Sequence, residues 1–353
     1  MSSLRPVRGT SREILDLLRD WNGAATDPEP LVIETSGSTG ASKRVLLSRR
    51  AMRASATATY TRLGGPGQWL LNLPGSYVAG AQVLFRSVLA GTEPVFLEEH
   101  EDLVAAAAAM TGERRYLSLV PTQLTRMLRS PAEAEALRGF DAVLVGGAAV
   151  EDSLRAAASR AGVRIVATYG MSETCGGCVY DGVALDGVAV ALGDDGRIRI
   201  GGPVLFDGYD GRPDVTATVL VDGWFLTSDY GRLDDDGRLQ VLGRMDDVVI
   251  SGGVKVPTQA VAARLRDHPE IAQAEVVGVF DAEWGQRVVA VVVSPEPLVA
   301  RKVPGLGDLR NWVSQALPRE WAPKQLVRVT EIPLLPNGKV DRMELERTVR
   351  RGR

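Results

Sequence analysis

The stretch that decides the fold is residues 31–62, LVIETSGSTGASKRVLLSRRAMRASATATYTR. It opens with a short apolar run, Leu31-Val32-Ile33, which is typical of a buried strand. A turn rich in Gly, Ser and Thr follows at 35–43, and residues 49–62 then lack Gly and Pro and are typical of a helix. The sequence therefore predicts a strand-loop-helix unit here.

The loop at 35–43, TSGSTGASK, has the composition of an anion-binding site. Glycines let backbone N–H groups turn toward an anion, hydroxyls add donors, and Lys43 supplies a mobile positive charge, as a polyphosphate requires. The loop matches neither the G-x-x-x-x-G-K-S/T pattern nor G-x-G-x-x-G. Taken alone, it is equally well explained as a flexible surface loop.

The alternation of strand and helix patterns continues along the chain and predicts an α/β fold with a mostly parallel sheet. Ligands of such sheets bind at the carboxyl ends of the strands. From about Asp181, Asp-Gly pairs separate short runs and predict a small antiparallel region. After Gly243 an α+β pattern follows, with helices near 257–266, 308–317 and 342–350. The buried strands are predicted at 69–71, 95–97, 116–120, 142–145 and 164–167.

Composition narrows the possible partners. The chain has 353 residues, 45% of them apolar, and a net charge of -3, which gives no electrostatic footprint for nucleic acid or an anionic membrane. Two His and two Cys cannot form a zinc site of three or four ligands without nearly the whole stock. A polar start, MSSLRPVRGT, and no apolar run of about 20 residues predict a cytoplasmic protein without membrane insertion. A homodimer is the base-rate expectation.

Five motifs then appear in the order that characterises one enzyme superfamily. They are TSGSTGASK at 35–43, YGMSET at 169–174, TSD at 227–229, GRMDD at 243–247 with SGG at 251–253, and PNGK at 336–339. In these motifs the chain resembles the acyl-adenylate-forming (AMP-binding) superfamily, which includes acyl-CoA synthetases, luciferases and adenylation domains of peptide synthetases. The resemblance covers nearly the whole chain.

The resemblance implies that ATP activates a carboxylic acid as an acyl-adenylate, which then passes to coenzyme A as a thioester. Lys339, Glu173 and Lys43 are the implied catalytic residues, and Glu173 is the implied Mg²⁺ ligand. This chemistry relies on positioning and charge stabilisation rather than on histidine. The implied ATP contacts are Thr35, Ser36, Gly37, Ser38, Thr39, Gly40, Lys43, Gly146, Gly147, Ala148, Tyr169, Gly170, Met171, Ser172, Asp229 and Arg244.

The resemblance also implies a domain division. Asp246 matches the hinge on which a small carboxyl-terminal domain pivots, so we expect a large α/β domain at 1–245 and a mobile lid at 246–353. Gly252 and Gly253 would let the pantetheine arm of coenzyme A pass close to the backbone, although a simple structural turn explains the pair too. Only 34 residues precede the loop, which predicts a shortened amino-terminal region.

The implied acid comes from the stretch CGGCVYDG at 175–182. With SYVAGAQVL at 76–84, it looks like the corresponding stretches of actinobacterial-type o-succinylbenzoate:CoA ligases of menaquinone biosynthesis, so 2-succinylbenzoate is the expected acid. The C-x-x-C pair resembles a redox or half-zinc motif, but no second pair exists. The residues expected to line the acyl pocket are Tyr77, Gly80, Cys175, Gly176 and Gly177.

Two departures and three alternatives stay open at this point. Many members carry Pro before the loop lysine, where this chain has Ser42, and Tyr77 stands at a position that bears on the choice of acid. The alternatives are another aryl- or acyl-CoA ligase, a stand-alone adenylation enzyme that loads a carrier-protein thiol, and an inactive nucleotide-binding homologue.

Overall fold

The structure is a computed structural model that describes residues 5–35, 43–294, 304–333 and 340–351. The chain forms two compact units. The first comprises residues 1–193, 198–227 and 233–239, and the second comprises 194–197, 228–232 and 240–353. The domain boundary at Asp246 stays a prediction.

The element bounds show the alternation of the first unit and the mixed pattern of the second. The helices are α1 Ser11–Gly23, α2 Arg49–Leu63, α3 Val78–Ala90, α4 Leu103–Ala108, α5 Pro121–Met127, α6 Pro131–Arg138, α7 Asp152–Arg160, α8 Pro213–Val219, α9 Thr258–Arg266, α10 Leu306–Ser314 and α11 Arg342–Arg351. The strands are β1 Arg5–Pro6, β2 Leu31–Thr35, β3 Lys43–Leu47, β4 Gln68–Leu71, β5 Val95–Phe96, β6 Arg115–Leu119, β7 Ala142–Val145, β8 Ile165–Met171, β9 Gly176–Tyr180, β10 Val183–Ala184, β11 Ala189–Leu192, β12 Arg197–Gly201, β13 Gly208–Tyr209, β14 Leu220–Val221, β15 Trp224–Leu233, β16 Leu239–Arg244, β17 Val248–Ser251, β18 Val254–Pro257, β19 Gln273–Asp281, β20 Gly285–Val293 and β21 Gln325–Arg328.

A seven-stranded sheet forms the centre of the first unit, in the order β10-β9-β8-β7-β6-β4-β5. Strands β5, β4, β6, β7 and β8 pair in parallel, whereas β9 and β10 add to the edge antiparallel. Every residue of β4 and β7 is buried, as expected for strands covered on both faces. The predicted mostly parallel sheet is confirmed.

The prediction of a strand-loop-helix unit at 31–62 is wrong in one respect, because a second strand lies between the loop and the helix. Residues 43–47 form β3, which pairs antiparallel with β2 in a separate sheet of order β1-β2-β3-β13, before α2 begins. The segment Lys43-Arg44-Val45-Leu46-Leu47 alternates between solvent and core, with Val45 and Leu47 fully buried. This period of two favours a strand over the start of a helix.

Two helices begin with a side-chain cap. At α1 the side chain of Thr10 accepts a hydrogen bond from the Glu13 N–H, and Glu13 accepts one from the Thr10 N–H at 2.8 Å. At α11 the Asp341 carboxylate accepts a hydrogen bond from the Glu344 N–H at 3.0 Å. Such caps satisfy N–H groups that the first helical turn leaves unpaired.

The second unit is built on a sheet of order β18-β17-β20-β19, with β21 parallel to β20. Alternate residues of β20 face opposite sides. Val288, Ala290 and Val292 pack in one core with α9 and α10, and Val289 and Val291 pack in another with α11. This arrangement confirms the α+β pattern expected there.

An antiparallel sheet of order β11-β12-β15-β14, with β16 paired to β15, contains the short runs that follow Asp181. The antiparallel region expected from the Asp-Gly pairs is therefore present. None of the helices in the described ranges is both long and apolar enough to cross a membrane.

Candidate functional site

The two ends of the Gly/Ser/Thr loop are held together by the β2-β3 hairpin. Thr35 and Lys43 are the last paired positions of the two strands, and the Thr35 hydroxyl donates to the Lys43 carbonyl oxygen at 3.4 Å. The hairpin thus holds together the first and last residues of the predicted anion loop. The loop residues Ser36, Gly37, Ser38, Thr39, Gly40 and Ser42 lie outside the described residues.

Glu173 lies in a single 3₁₀ turn, Ser172–Thr174, that directly follows β8. Thr174 locks the turn, because its buried hydroxyl oxygen accepts from the Met171 N–H at 2.9 Å and its hydroxyl donates to the Gly176 carbonyl at 2.7 Å. The Glu173 carbonyl oxygen accepts from the Phe206 N–H at 2.9 Å. The turn therefore fixes the backbone of Glu173 and leaves its carboxylate half-buried.

Tyr209 connects the loop lysine to this carboxylate. Its hydroxyl donates a hydrogen bond to Glu173 Oε1 at 2.7 Å, and Lys43 Nζ lies 5.0 Å from the centroid of its ring. Burial, followed by the negative charge of Glu173, raises the pKa of Tyr209 far above its ordinary value. The hydroxyl consequently stays protonated and remains a donor at any physiological pH.

Sequence reasoning missed Tyr209. The tyrosine follows Asp207-Gly208, a pair typical of a turn, and no local pattern marks it as part of a site. Its place comes from the pairing of β13 with β3, which sets Tyr209 opposite Val45, two residues after Lys43. The contact is therefore a product of sheet register.

Gly146, just after β7, and Gly170, near the end of β8, lie so close to neighbouring atoms that a side chain would not fit. A methyl group at Gly146 would overlap the Thr168 hydroxyl. A methyl group at Gly170 would overlap the carbonyl oxygen of Gly176 and lie 2.7 Å from the Cα of Gly177. Gly147 has a φ of 79°, which favours glycine. The ATP contacts of these two segments stay predictions: Gly146, Gly147, Ala148, Tyr169, Gly170, Met171 and Ser172.

The residues predicted to line the acyl pocket lie near the start of α3 and near the start of β9. Tyr77 precedes α3 and is 49% exposed, and a methyl group at Gly80 would lie 2.7 Å from the Pro74 carbonyl carbon. A methyl group at Gly176 would contact Gln82 Cγ at 3.4 Å. Gly176 thus lies beside Gln82 of α3, the helix that Tyr77 precedes. The assignment of Tyr77, Gly80, Cys175, Gly176 and Gly177 to an acyl pocket stays a prediction.

Both cysteines are fully buried, Cys175 in the main core of the first unit. Its backbone carbonyl accepts a hydrogen bond from the Ser55 hydroxyl at 2.9 Å. Burial raises the pKa of both thiols, that of Cys178 to about 12. A thiol kept protonated in this way is a poor nucleophile and a poor metal ligand, which agrees with discounting a redox role.

In the second unit the structure brings together two predicted ATP contacts. Arg244 Nη1 lies 3.7 Å from Asp229 Oδ1, and the Asp229 side chain is only 15% exposed. The backbone of the predicted hinge residue Asp246 lies in a 3₁₀ turn, Met245–Asp247, whereas its side chain is not described. Lys339 lies outside the described residues.

Gly252 and Gly253 form the tight turn between β17 and β18. Their φ angles are 60° and 79°, and the strands pair from Ser251 and Val254 outward. A methyl group at Gly252 would lie 2.7 Å from Trp284 Cε3. The turn therefore accounts for both glycines without a ligand, and their contact with coenzyme A stays a prediction.

The donor set is compatible with Mg²⁺ bound through one carboxylate. In the ranges that the structure describes, no group of three or more His, Cys, Asp or Glu side chains could hold a metal ion. Mg²⁺ is usually bound in proteins by one or two carboxylates together with substrate phosphates. Glu173 fits that mode, because its Oε1 is held by Tyr209 and its Oε2 accepts no hydrogen bond from the residues described.

Known protein families match both parts of the chain. Residues 26–210 match the AMP-binding enzyme family and residues 260–339 match the AMP-binding enzyme C-terminal domain. The chain belongs to the AMP-binding enzyme family, which confirms the resemblance in the five motifs.

Two relatives of this chain are named as 2-succinylbenzoate--CoA ligases. The chain is 44% identical over 329 residues to the "Probable 2-succinylbenzoate--CoA ligase" of Mycobacterium tuberculosis (strain ATCC 25618 / H37Rv), covering 91% of this chain and 85% of that protein. It is 30% identical over 346 residues to 2-succinylbenzoate--CoA ligase of Listeria innocua, covering 94% and 72% of the two chains.

A solved structure shares the fold. The o-succinylbenzoate CoA synthetase from Bacillus subtilis, in complex with its acyl-adenylate intermediate, superposes with a TM-score of 0.74 at 26% identity. The match covers 90% of this chain and 68% of that one. The fold class expected from the sequence is thereby confirmed.

Proposed function

We propose that this protein is an ATP-dependent acid:CoA ligase that converts 2-succinylbenzoate to 2-succinylbenzoyl-CoA. The observation that carries the proposal is a cluster around Tyr209. Its ring contacts Lys43 and its hydroxyl contacts Glu173, and these two residues come from two distant motifs. The similarity to 2-succinylbenzoate--CoA ligases supports the choice of acid. ATP, coenzyme A and a small carboxylic acid are the proposed substrates.

The first half-reaction forms an acyl-adenylate. A carboxylate oxygen of the acid attacks the α-phosphorus of ATP, the bond to the bridging oxygen breaks, and pyrophosphate leaves with the electron pair. Because the attacking carboxylate is already ionised, the enzyme needs mainly to position reactants and to balance charge. Lys43 and the loop hydroxyls would hold the β- and γ-phosphates, and Lys339 would offset charge between the two reacting anions.

The carboxylate of Glu173, oriented by the hydrogen bond that it accepts from Tyr209, would hold Mg²⁺. When bound, the cation would neutralise part of the phosphate charge. Asp229 would accept hydrogen bonds from the ribose hydroxyls, and Arg244, beside it, would offset phosphate charge.

The second half-reaction transfers the acyl group to coenzyme A. The thiol sulfur attacks the carbonyl carbon of the acyl-adenylate, the thiol proton is lost, and AMP leaves with the electron pair of the anhydride bond. Asp246 would serve as the hinge that exchanges Lys339 for the Gly252-Gly253 turn at the reacting centre. The same acyl-adenylate would thereby serve both steps.

An acid panel tests the proposal. The protein is incubated with ATP, Mg²⁺, coenzyme A and one acid at a time, and pyrophosphate release and thioester formation are measured. We expect both products with 2-succinylbenzoate and little of either with benzoate or acetate. Pyrophosphate release with benzoate or acetate, but none with succinylbenzoate, would refute the choice of acid.

One variant tests the role of Glu173, and a second variant is its control. Glu173→Gln removes the carboxylate charge and should lower pyrophosphate release about 100-fold, the scale at which one lost electrostatic contact lowers catalysis. Glu113→Gln changes an exposed carboxylate of the first unit and should leave the rate unchanged. Adenylation with transfer to a carrier-protein thiol, but none to free coenzyme A, would point instead to a stand-alone adenylation enzyme.

A further inference from the structure

We propose that Tyr209 is a positioning residue that sets the spacing of the loop lysine and the Glu173 carboxylate before ATP binds. The inference rests on the proposed function, because it concerns how these two groups meet the nucleotide. Tyr209 lies in β13, outside the five motifs.

The hydroxyl of Tyr209 orients the carboxylate. It donates to Glu173 Oε1 at 2.7 Å, a short hydrogen bond to a charged acceptor. With Oε1 held, rotation of the carboxylate is restricted, and Oε2 is left as the oxygen that can meet a phosphate-bound cation. The backbone of Glu173 is already fixed by its 3₁₀ turn, so the side-chain torsions are the freedom that Tyr209 removes.

The ring of Tyr209 supports the lysine. Lys43 is exposed, and its Nζ lies 5.0 Å from the ring centroid, within the range of a cation–π contact. Since Lys43 is the last residue of the loop motif at 35–43, the ring holds the ammonium group at the carboxyl-terminal end of that motif. Ring and hydroxyl therefore act on two different partners.

The tyrosine is itself rigidly placed. Its N–H donates to the Thr216 hydroxyl at 2.9 Å, and its ring packs edge-to-face on Phe206, with centroids 4.9 Å apart. Phe206 also donates its own N–H to the Glu173 carbonyl oxygen. A short segment of the chain thus contacts Glu173 at both its backbone and its carboxylate. Such a support is expected where two groups must be held within a fraction of an ångström.

Two substitutions separate the two contacts. Tyr209→Phe removes the hydrogen bond to Glu173 and keeps the ring under Lys43, whereas Tyr209→Leu removes both. The matched control is Tyr180→Phe, which deletes the hydroxyl of another buried tyrosine, bonded to the Thr59 hydroxyl at 3.0 Å. Thermal unfolding of all variants shows how much of any effect is structural.

The readout is ATP binding measured calorimetrically, with excess Mg²⁺ and separately with EDTA. For Tyr209→Phe we expect about tenfold weaker binding with Mg²⁺, the scale of one charged hydrogen bond, and unchanged binding in EDTA. Tyr209→Leu should weaken binding in both conditions. Tyr180→Phe should bind as the wild type does, and the KM for the acid should not change in Tyr209→Phe.

Wild-type binding of ATP with Mg²⁺ by a folded Tyr209→Phe variant would overturn the inference, as would equal weakening with Mg²⁺ and with EDTA. If Tyr209→Leu does not fold, Tyr209→Phe alone decides, since it retains the ring. The proposed function fails separately, through a wild-type protein that binds ATP but releases no pyrophosphate with any acid.

Discussion

Gly170 is the position where the packing of the site leaves least room for a side chain. It lies on β8, where the register to β9 shifts between Tyr169 and Gly170, and it pairs with Gly177. In Gly170→Ala the new methyl carbon would overlap the Gly176 carbonyl oxygen and lie 2.7 Å from the Gly176 carbonyl carbon and from Gly177 Cα. All three atoms belong to the backbone, so no side-chain rotation can relieve the overlap.

The expected cost follows from these distances. Carbon atoms pack best at about 3.5–4.0 Å, so β8 and β9 would have to separate by roughly 1 Å. Overpacking of this kind costs about 1–3 kcal/mol, and a domain of this size loses about 2–4 °C in Tm per kcal/mol. We therefore expect Gly170→Ala to lower Tm by about 4–8 °C, from a destabilisation of about 2 kcal/mol.

The substitution should also affect activity, because Gly170 precedes Glu173 by three residues. A displacement of about 1 Å at a reacting group can lower the rate about 100-fold. The assays are thermal unfolding and pyrophosphate release with 2-succinylbenzoate. Gly23→Ala is the matched control, since Gly23 ends α1 and a methyl group there would have no neighbour within 4 Å.

The reasoning would be refuted by a Gly170→Ala protein that unfolds within 1 °C of the wild type, on the scale of about 2–4 °C per kcal/mol, and retains its kcat/KM. Gly23→Ala should retain its kcat/KM and unfold at the wild-type temperature or up to about 4 °C above it, because alanine fits a helix end without strain.

Three further predictions address the rest of the site. Lys339→Ala should abolish adenylation while leaving thioester formation from a supplied acyl-adenylate largely intact, and equal loss of both half-reactions in a folded variant would contradict this division. Asp229→Asn should raise the KM for ATP about tenfold, the scale of one charged hydrogen bond, with little change in the KM for the acid; equal increases in both would speak against a ribose contact. The unfolding free energy should fall above about pH 8.5, by up to about 1.4 kcal/mol per pH unit for each buried thiol, because the unfolded thiols lose protons while burial keeps the pKa of Cys175 and Cys178 raised. Urea titrations of the wild type and the double variant Cys175→Ala/Cys178→Ala at rising pH measure this slope, and an equally steep fall in the double variant would disprove the assignment.

Much of the molecule could be predicted from local signals. Short apolar runs located β4, β6 and β7, and their separation by helices predicted parallel pairing, which the register of Leu117 with Val143 confirms. The start of α1 also has a local cause, since Thr10 and Glu13 form a capping box within four residues of sequence. These features depend on residues close together in the sequence, where periodicity and capping act. The motif order likewise indicated the family, which the match to residues 26–210 confirms.

Other features depended on contacts between distant parts of the chain. Strand β3 was missed because Val45 and Leu47 become a buried strand face only when β2 and β13 flank them. The role of Tyr209 was missed for the same reason, since its partners Glu173 and Lys43 lie far away in the sequence. The buried cysteines are a third case, because C-x-x-C spacing carries no information about whether the core covers both thiols.

The sequence by itself thus determined the class of fold, the family and the residue types that its chemistry uses. Only the tertiary structure decided which side chain joins the Lys43 and Glu173 segments, and why Gly170 must remain glycine. The physical reason is that motif residues are recognisable one segment at a time, whereas the distances between them arise from sheet register and packing, which no single segment contains.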